Sequence, residues 1–329
     1  MRILIVNTGV IPVTLYGGTD RVIWGLGKEL TLMGHSVTYL VGKGSKCNFA
    51  SVLHIDESKT IIEQIPKNFD IVHFNFRPKD IEELSIPYII TAHNNSGGLK
   101  ELDKNTVFVS KNHALRYQSN SFVHNGLDWS EYSIPELKNK RDYFHFLGKA
   151  AWRVKNVTGA ISVIKNTKSE KLKVLGGVRF NINMGIRFTF SPRISFAGMV
   201  GGQKKYDLIN GSKGLIFPVK WHEPFGLAII ESLYYGCPVF GTPHGSLPEL
   251  IGPDVGYLST NTKELSEAIL STSKYDRQRC HDYARETFSS KKMAIEYIKK
   301  YEKVLSGSAL NATPPKQLKK QEQKWLEWN

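Results

Sequence analysis

Cysteine is scarce. Three residues, Cys47, Cys237 and Cys280, are scattered through 329 with no CxxC or interleaved His, so neither a disulfide framework nor a zinc cluster is signalled and a reducing compartment, the cytoplasm, is expected. Long apolar runs are missing too. Nothing approaches the roughly 18 apolar residues of a spanning helix, and the apolar opening MRILIV is cut short by Asn7, Thr8 and Gly9 before a signal-peptide core could form. It reads as a first buried strand. There is no HExxH, no P-loop, no serine nucleophile elbow, and no GxGxxG after the first strand, which removes the commonest metalloprotease, phosphate-loop, hydrolase and dinucleotide signatures. No Asp-x-Asp occurs, so no divalent cation on substrate phosphates is signalled. The aromatic-interleaved basic motifs of RNA-binding modules are absent, and nucleic acid is not an expected partner.

Positive charge is abundant and unevenly spread. The chain carries a net +14; residues 1–142 hold 16 Lys and Arg against 15 Asp and Glu, which leaves 28 against 15, a net +13, for residues 143–329. A basic second half prefers anions, either a nucleotide diphosphate or an anionic membrane surface. With 41% hydrophobic residues the composition is that of a globular protein, and the length suits two α/β domains better than one core.

Strand, helix and strand follow one another at the start: residues 1–6, a Gly-rich turn over Tyr16 to Thr19, a helix from Asp20 to Met33 closed by Gly34, then HSVTYLV. That is the βαβ unit of a parallel sheet. Asp70 to Asn75, Pro87 to His93, Thr106 to Ser110 and Ser121 to Asn125 read as further short strands of a doubly wound domain. Apolar periodicity then lapses, and a second series begins with Phe144 to Lys149, Lys171 to Gly177, Arg193 to Val200, Gly214 to Val219 and Pro238 to Pro243. The expected division is a Rossmann-like domain over 1–126, a linker over 127–142, a second Rossmann-like domain over 143–288, a helix over 289–309 packing back on the first domain, and a polar basic tail over 310–329. Within that tail Trp325 and Trp328 stand among lysines. They read either as part of a frayed terminus or as a short membrane-touching helix.

The most informative segment is WHEPFGLAIIESLYYGCPVFGTPHGSLPEL, Trp221 to Leu250. Pro224 suits the first turn of a helix, where the amides of Phe225, Gly226 and Leu227 would point outward at an anion. Glu223 and Glu231 are about 12 Å apart on an ideal helix at ~1.5 Å per residue. They cannot share a proton, but they can meet two parts of an extended ligand, sugar hydroxyls at one end and a ribose at the other. The plain alternative is a solvated cap and a surface glutamate.

EPFGLAIIE resembles the donor-site signature of retaining glycosyltransferase family four, whose GT-B members carry two glutamates separated by seven residues. The resemblance continues through GGTDRVIWGLGKELTLMGHSVTYL, FVHNGLDWSEY, FLGKAAWRVKN, KVLGG and HGSLPELI. It implies a GT-B fold of two Rossmann-like domains across a cleft, no metal or other cofactor, and a nucleotide-sugar donor, with UDP-sugars favoured by family habit. It also implies front-face transfer with retention, in which the departing phosphate takes the acceptor proton. The acceptor would be a glycan or lipid-linked hydroxyl, with peripheral attachment to the cytoplasmic face of a membrane as an additional reading.

By the same resemblance Lys149 and Lys155 would bind the diphosphate, and electrostatic stabilisation of the leaving group would be their contribution. Lys149 stands where arginine is commoner and Asn156 where glycine is, so Lys149 lacks bidentate geometry and Arg153 could share its work. Glu223 would meet the donor sugar and Glu231 the ribose. Gly17 and Gly18 would close over donor phosphates or acceptor, and His93 would position the reacting hydroxyl through a neutral imidazole. Gly176 and Gly177 would lie under the nucleotide, with Met199 and Val200 flanking the base. His124 falls to the hinge and Glu249 to bracing. Two other readings share this fold: a non-transferring relative such as a nucleotide-sugar epimerase, and a non-catalytic sugar-nucleotide-binding subunit.

Overall fold

The computed structural model describes residues 1–13, 17–96, 100–182, 187–317 and 325–329. These form two compact units. The first takes in residues 1–13, 17–129 and 288–317, the second residues 130–287 and 325–329.

In the first unit the elements are β1 (Arg2–Val6), α1 (Gly18–Leu32), β2 (Ser36–Val41), β3 (Ser51–His54), β4 (Ile71–Phe74), β5 (Tyr88–Ala92), β6 (Thr106–Phe108) and α2 (Lys111–Arg116). The sheet runs β3-β2-β1-β4-β5-β6, all parallel. Ile3, Leu4, Ile5 and Val6 are all buried, as a central parallel strand covered on both faces requires. The order reverses between β1 and β4, so loops leaving their carboxyl ends flank a crevice.

The second unit repeats the plan with β7 (Tyr143–Leu147), α3 (Val157–Lys165), β8 (Leu172–Leu175), β9 (Phe180–Asn181), β10 (Arg187–Phe188), β11 (Ile194–Phe196), α4 (Gly202–Asn210), β12 (Ser212–Phe217), α5 (Leu227–Tyr234), β13 (Val239–Gly241), α6 (Leu247–Leu250), β14 (Gly256–Leu258), α7 (Thr262–Leu270) and α8 (Arg277–Thr287). Its parallel sheet runs β11-β8-β7-β12-β13-β14, and its reversal lies between β7 and β12. The last helix, α9 (Ser290–Leu305), packs on α1 and β5 of the first unit. There Tyr301 meets His73 Nδ1 at 2.8 Å and Tyr297 meets Thr91 Oγ1 at 2.9 Å.

Several local expectations are corrected. Ser121 to Asn125 is not a strand. Phe108 and Ser121 to Val123 exchange two backbone bonds around one bridge, and the chain then leaves the edge for Leu127, which pairs with Ser289. Gly18 and Thr19 are helical, since α1 begins there with Gly17 as its cap; Tyr16 lies outside the described residues. The edge strand β3, half exposed and without apolar alternation, the three-residue β14 and the β9–β10 hairpin gave too short a signal to be seen. Of the tail, residues 318–324 lie outside the described residues, and residues 325–329 are neither frayed nor helical. Trp328 packs into the second unit's core, Leu326 donates to Lys220 O, and Asn329 bonds Thr260 and Thr262. Trp325 lies half-buried, with Lys220 Nζ 5.8 Å from its ring centroid.

Candidate active site

In the second unit the crevice between β7 and β12 is lined from both sides. After β7, Gly148 leads into Lys149, which is exposed, with Nζ 5.6 Å from the Trp152 ring centroid. A short helical turn over Arg153–Lys155 follows, and Asn156, left-handed at φ 55°, caps α3 by accepting from Gly159 N at 3.0 Å. Asparagine tolerates that conformation, which explains how it stands where glycine was expected. After β12 comes the loop Pro218 to Gly226. The two loops meet in an ion pair: Lys155 Nζ is 2.6 Å from Glu223 Oε2, and Trp221 Nε1 donates to the same oxygen at 2.8 Å. Lys155 also lies 5.0 and 5.3 Å from the ring centroids of Trp221 and Phe217. Glu223 is therefore buried and paired, not a solvated cap.

The helix after Glu223 starts later than its proline suggested. It begins at Leu227, with Gly226 as cap at φ 92° and no side-chain cap bond. Glu223 thus belongs to a loop, and the ideal-helix spacing to Glu231 does not apply. That loop is backed by the turn before α6. Gly245 is left-handed at φ 65°, and a Cβ there would fall 2.2 Å from Glu223 N, so glycine is the one residue that fits. Ser246 N donates to Glu223 O at 2.9 Å, and Ser246 Oγ to Phe225 O at 2.6 Å. Phe225 is buried and Leu227 half-buried.

Glu231 lies on the buried face of α5. Its Oε1 is 2.5 Å from Lys205 Nζ and accepts from Tyr132 OH at 2.9 Å. It is not a surface helix residue, and a ribose would share this carboxylate with both partners. Sequence reading missed Lys205 and Tyr132. A signal existed, because Lys205 stands one turn before Ile209 on the inward stripe of α4, where a lysine must have a partner. The other residues expected near a donor follow strands of the same sheet. Ala150 N donates to Gly176 O at 2.8 Å, Gly177 bridges Gly198, Met199 is exposed and Val200 is buried. Glu249 falls in the first turn of α6.

In the first unit Asn7 follows β1, Asn75 follows β4 and His93 follows β5. Asn7 Nδ2 donates to Asp20 Oδ1 at 2.8 Å, and His93 Nε2 meets Asn75 Oδ1 at 2.8 Å. Burial lowers the His93 pKa to about 4, so its ring is neutral at pH 7. An amide oxygen only accepts, which puts the proton on Nε2 and the lone pair on Nδ1. His124 packs against Phe122 and Phe288. Gly17 and Gly18 open α1.

Two parallel six-stranded sheets in the same order, each with its crevice at the strand reversal, define a GT-B-like architecture. Residues 130–287 match the family described as glycosyl transferases group 1. That match lies in the second unit, which is similar to group 1 (GT4) glycosyl transferases, a retaining family that takes sugar from nucleotide sugars. Solved structures agree in fold. AviGT4, a glycosyltransferase involved in avilamycin A biosynthesis, aligns with TM-score 0.75 and 18% identity over 93% of this chain and 98% of its own. The catalytic domain of starch synthase IV from Arabidopsis thaliana, bound to ADP and acarbose, gives 0.70 and 15% over 93% and 99%. HepE from Anabaena with UDP-glucose gives 0.64 and 13% over 93% and 100%. No curated protein matches the sequence.

Proposed function

We propose that the protein transfers a hexose-type sugar from a UDP-sugar to a hydroxyl of a glycan or lipid-linked acceptor, with retention and without a metal, in surface polysaccharide or glycoconjugate synthesis. The second unit would hold the donor and the first the acceptor. The observation that carries this is the Lys155–Glu223 pair at the strand reversal, beside exposed Lys149. The two lysines face the diphosphate, whose charge grows as the bond from C1 to its oxygen breaks. Such stabilisation is usually the largest catalytic term. A bond from C1 to the acceptor oxygen forms on the same face, and the acceptor proton goes to the departing phosphate. Glu223, held in place by Lys155 and Trp221, is assigned to the sugar hydroxyls, and Glu231 to the ribose. His93 is assigned to orienting the acceptor hydroxyl through Nδ1. HepE, of similar fold, was solved with UDP-glucose and supports uridine.

Thermal shifts with a panel of nucleoside diphosphates and their sugars, with EDTA present, test this reading, because a ligand that binds only the folded state raises its melting temperature. A selective rise with the UDP series supports it. A rise with NAD alone, or none with any sugar nucleotide, overturns it. Donor turnover without acceptor would favour the epimerase, and binding without transfer the non-catalytic subunit.

A further inference from the structure

The β9–β10 hairpin is amphipathic in the wrong sense for a protein surface. Its register pairs Phe180 with Phe188 and Asn181 with Arg187, and successive residues of a strand face opposite ways. The outward face carries Phe180, Ile182, Phe188 and Phe190, which are 54%, 65%, 49% and 83% exposed. The inward residues are polar: Asn181, Arg187 and the buried Thr189. Phe188 contacts Phe180 at 5.6 Å and Phe190 at 4.2 Å between ring centroids, so the exposed rings form one patch.

This arrangement is anchored. Arg179 donates to Thr189 O and Ile194 O at 2.6 Å each, Arg187 donates to Val178 O at 2.9 Å, and both guanidinium groups lie over Phe196. With its inner face committed to these bonds, the hairpin cannot turn its rings inward. Asn181 and Arg187 also line an open cavity of about 280 Å³, whose other walls include Arg153, Lys220, Trp152 and Trp325. Three cations therefore stand beside an apolar patch in the half of the chain that carries net +13.

We propose that this hairpin and the cationic cavity behind it form the surface by which the second unit lies on an anionic bilayer, the rings entering the interfacial region and the cavity taking lipid phosphates. Charge complementarity selects this occupant. Apolar and aromatic side chains flanked by Lys and Arg are what an interfacial anchor requires, whereas no helix among the described residues is long and apolar enough to cross a membrane. Arg153 and Trp152 on the cavity wall neighbour the residues assigned to the donor, but the hairpin and Lys220 carry no donor assignment, and the proposal does not depend on one.

Cosedimentation of the full chain with vesicles of phosphatidylcholine, with and without phosphatidylglycerol, tests it. The chain is expected to pellet with the anionic vesicles and be released by salt. Phe190→Asp or Ile182→Asp is expected to weaken binding roughly tenfold or more, with the nucleotide-induced thermal shift unchanged. Lys220→Gln should weaken it about fivefold. The proposal fails if the parent stays in the supernatant with anionic vesicles, or if both aspartate variants pellet as the parent does. It fails equally if the parent is a dimer in lipid-free buffer that Phe190→Asp makes monomeric, which would give the patch to a second copy of the chain.

Discussion

The two units share one strand order and line the carboxyl edge of their sheets with different chemistry. At the first unit's edge stand two hydrogen-bonded pairs, Asn7 with Asp20 and Asn75 with a neutral His93, and Asp20 is the one formal charge among them. At the second unit's edge and the helix beside it, Lys155–Glu223 is a partly buried ion pair and Lys205–Glu231 a fully buried one. The fold alone therefore does not determine what is bound. Neutral amides and an imidazole recognise hydroxyls, which carry no charge, whereas paired lysines and glutamates suit a ligand with an anionic end and a polyhydroxylated end. An ion pair also keeps both charges in place before a ligand arrives.

The sharpest way to break this contrast is to remove one member of a pair. Lys205→Ala leaves Glu231 buried without its cation, and the second unit is expected to lose about 3 to 5 kcal/mol; Lys205→Met with Glu231→Gln should recover most of it. Calorimetry on the three proteins checks this, and equal melting of all three would show the pair to be inert. Recovery of stability without recovery of UDP binding would fit the ribose assignment of Glu231.

Lys155→Ala and Glu223→Gln act on transfer itself. Each is expected to lower kcat by roughly a hundredfold to a thousandfold, the scale of one lost stabilising group at a developing charge. If initial rates with a UDP-sugar stayed at the parent level in folded variants, the diphosphate and sugar assignments would be withdrawn. Lys149→Ala should cost less, since Lys149 is exposed and its charge is screened by water.

What the sequence disclosed, and what it hid, follows from the same physics. Residues 2–6, 36–41, 71–74 and 88–92 are near-continuous apolar runs, which identify buried parallel strands. EPFGLAIIE was legible as a local motif, two glutamates separated by seven residues around Pro224 and Gly226, and so carried the expectation of a donor loop. The partners of those glutamates were hidden. Lys205 and Tyr132 lie 26 and 99 positions from Glu231, and no local pattern links residues so far apart. Gly245 was visible only as part of a motif, and its reason, the approach of Glu223's backbone, exists only in three dimensions. The β9–β10 hairpin escaped notice because two residues per strand give no periodicity.

Acid should separate the units by a smaller margin. Burial lowers His73 and His113 to about 3 and His93 to about 4 in the first unit, and His145 to about 3 in the second. A histidine kept neutral in the folded state binds its proton in the unfolded chain first, so stability is lost as pH falls below about 6.5 towards the folded value. Each contributes up to about 1.4 kcal/mol per pH unit. Between pH 6 and 4.5 the first unit should weaken more steeply than the second, and pulse proteolysis with mapped cleavage sites would show which opens first. Earlier cleavage within residues 130–287 would contradict it.

The mildest test concerns His93. Its Nε2 proton is held by Asn75, which leaves the Nδ1 lone pair as the ring's acceptor. His93→Ala should therefore reduce kcat by roughly 10- to 100-fold through lost orientation of the hydroxyl and leave the UDP thermal shift untouched, because the groups assigned to the donor belong to the other unit. Asn75→Asp separates orientation from charge: a carboxylate on Nε2 would raise the imidazole pKa, so the acidic limb of the rate profile should move to higher pH. A His93→Ala enzyme that lost UDP binding as well would place the histidine on the donor, and the division of labour between the two edges would have to be redrawn.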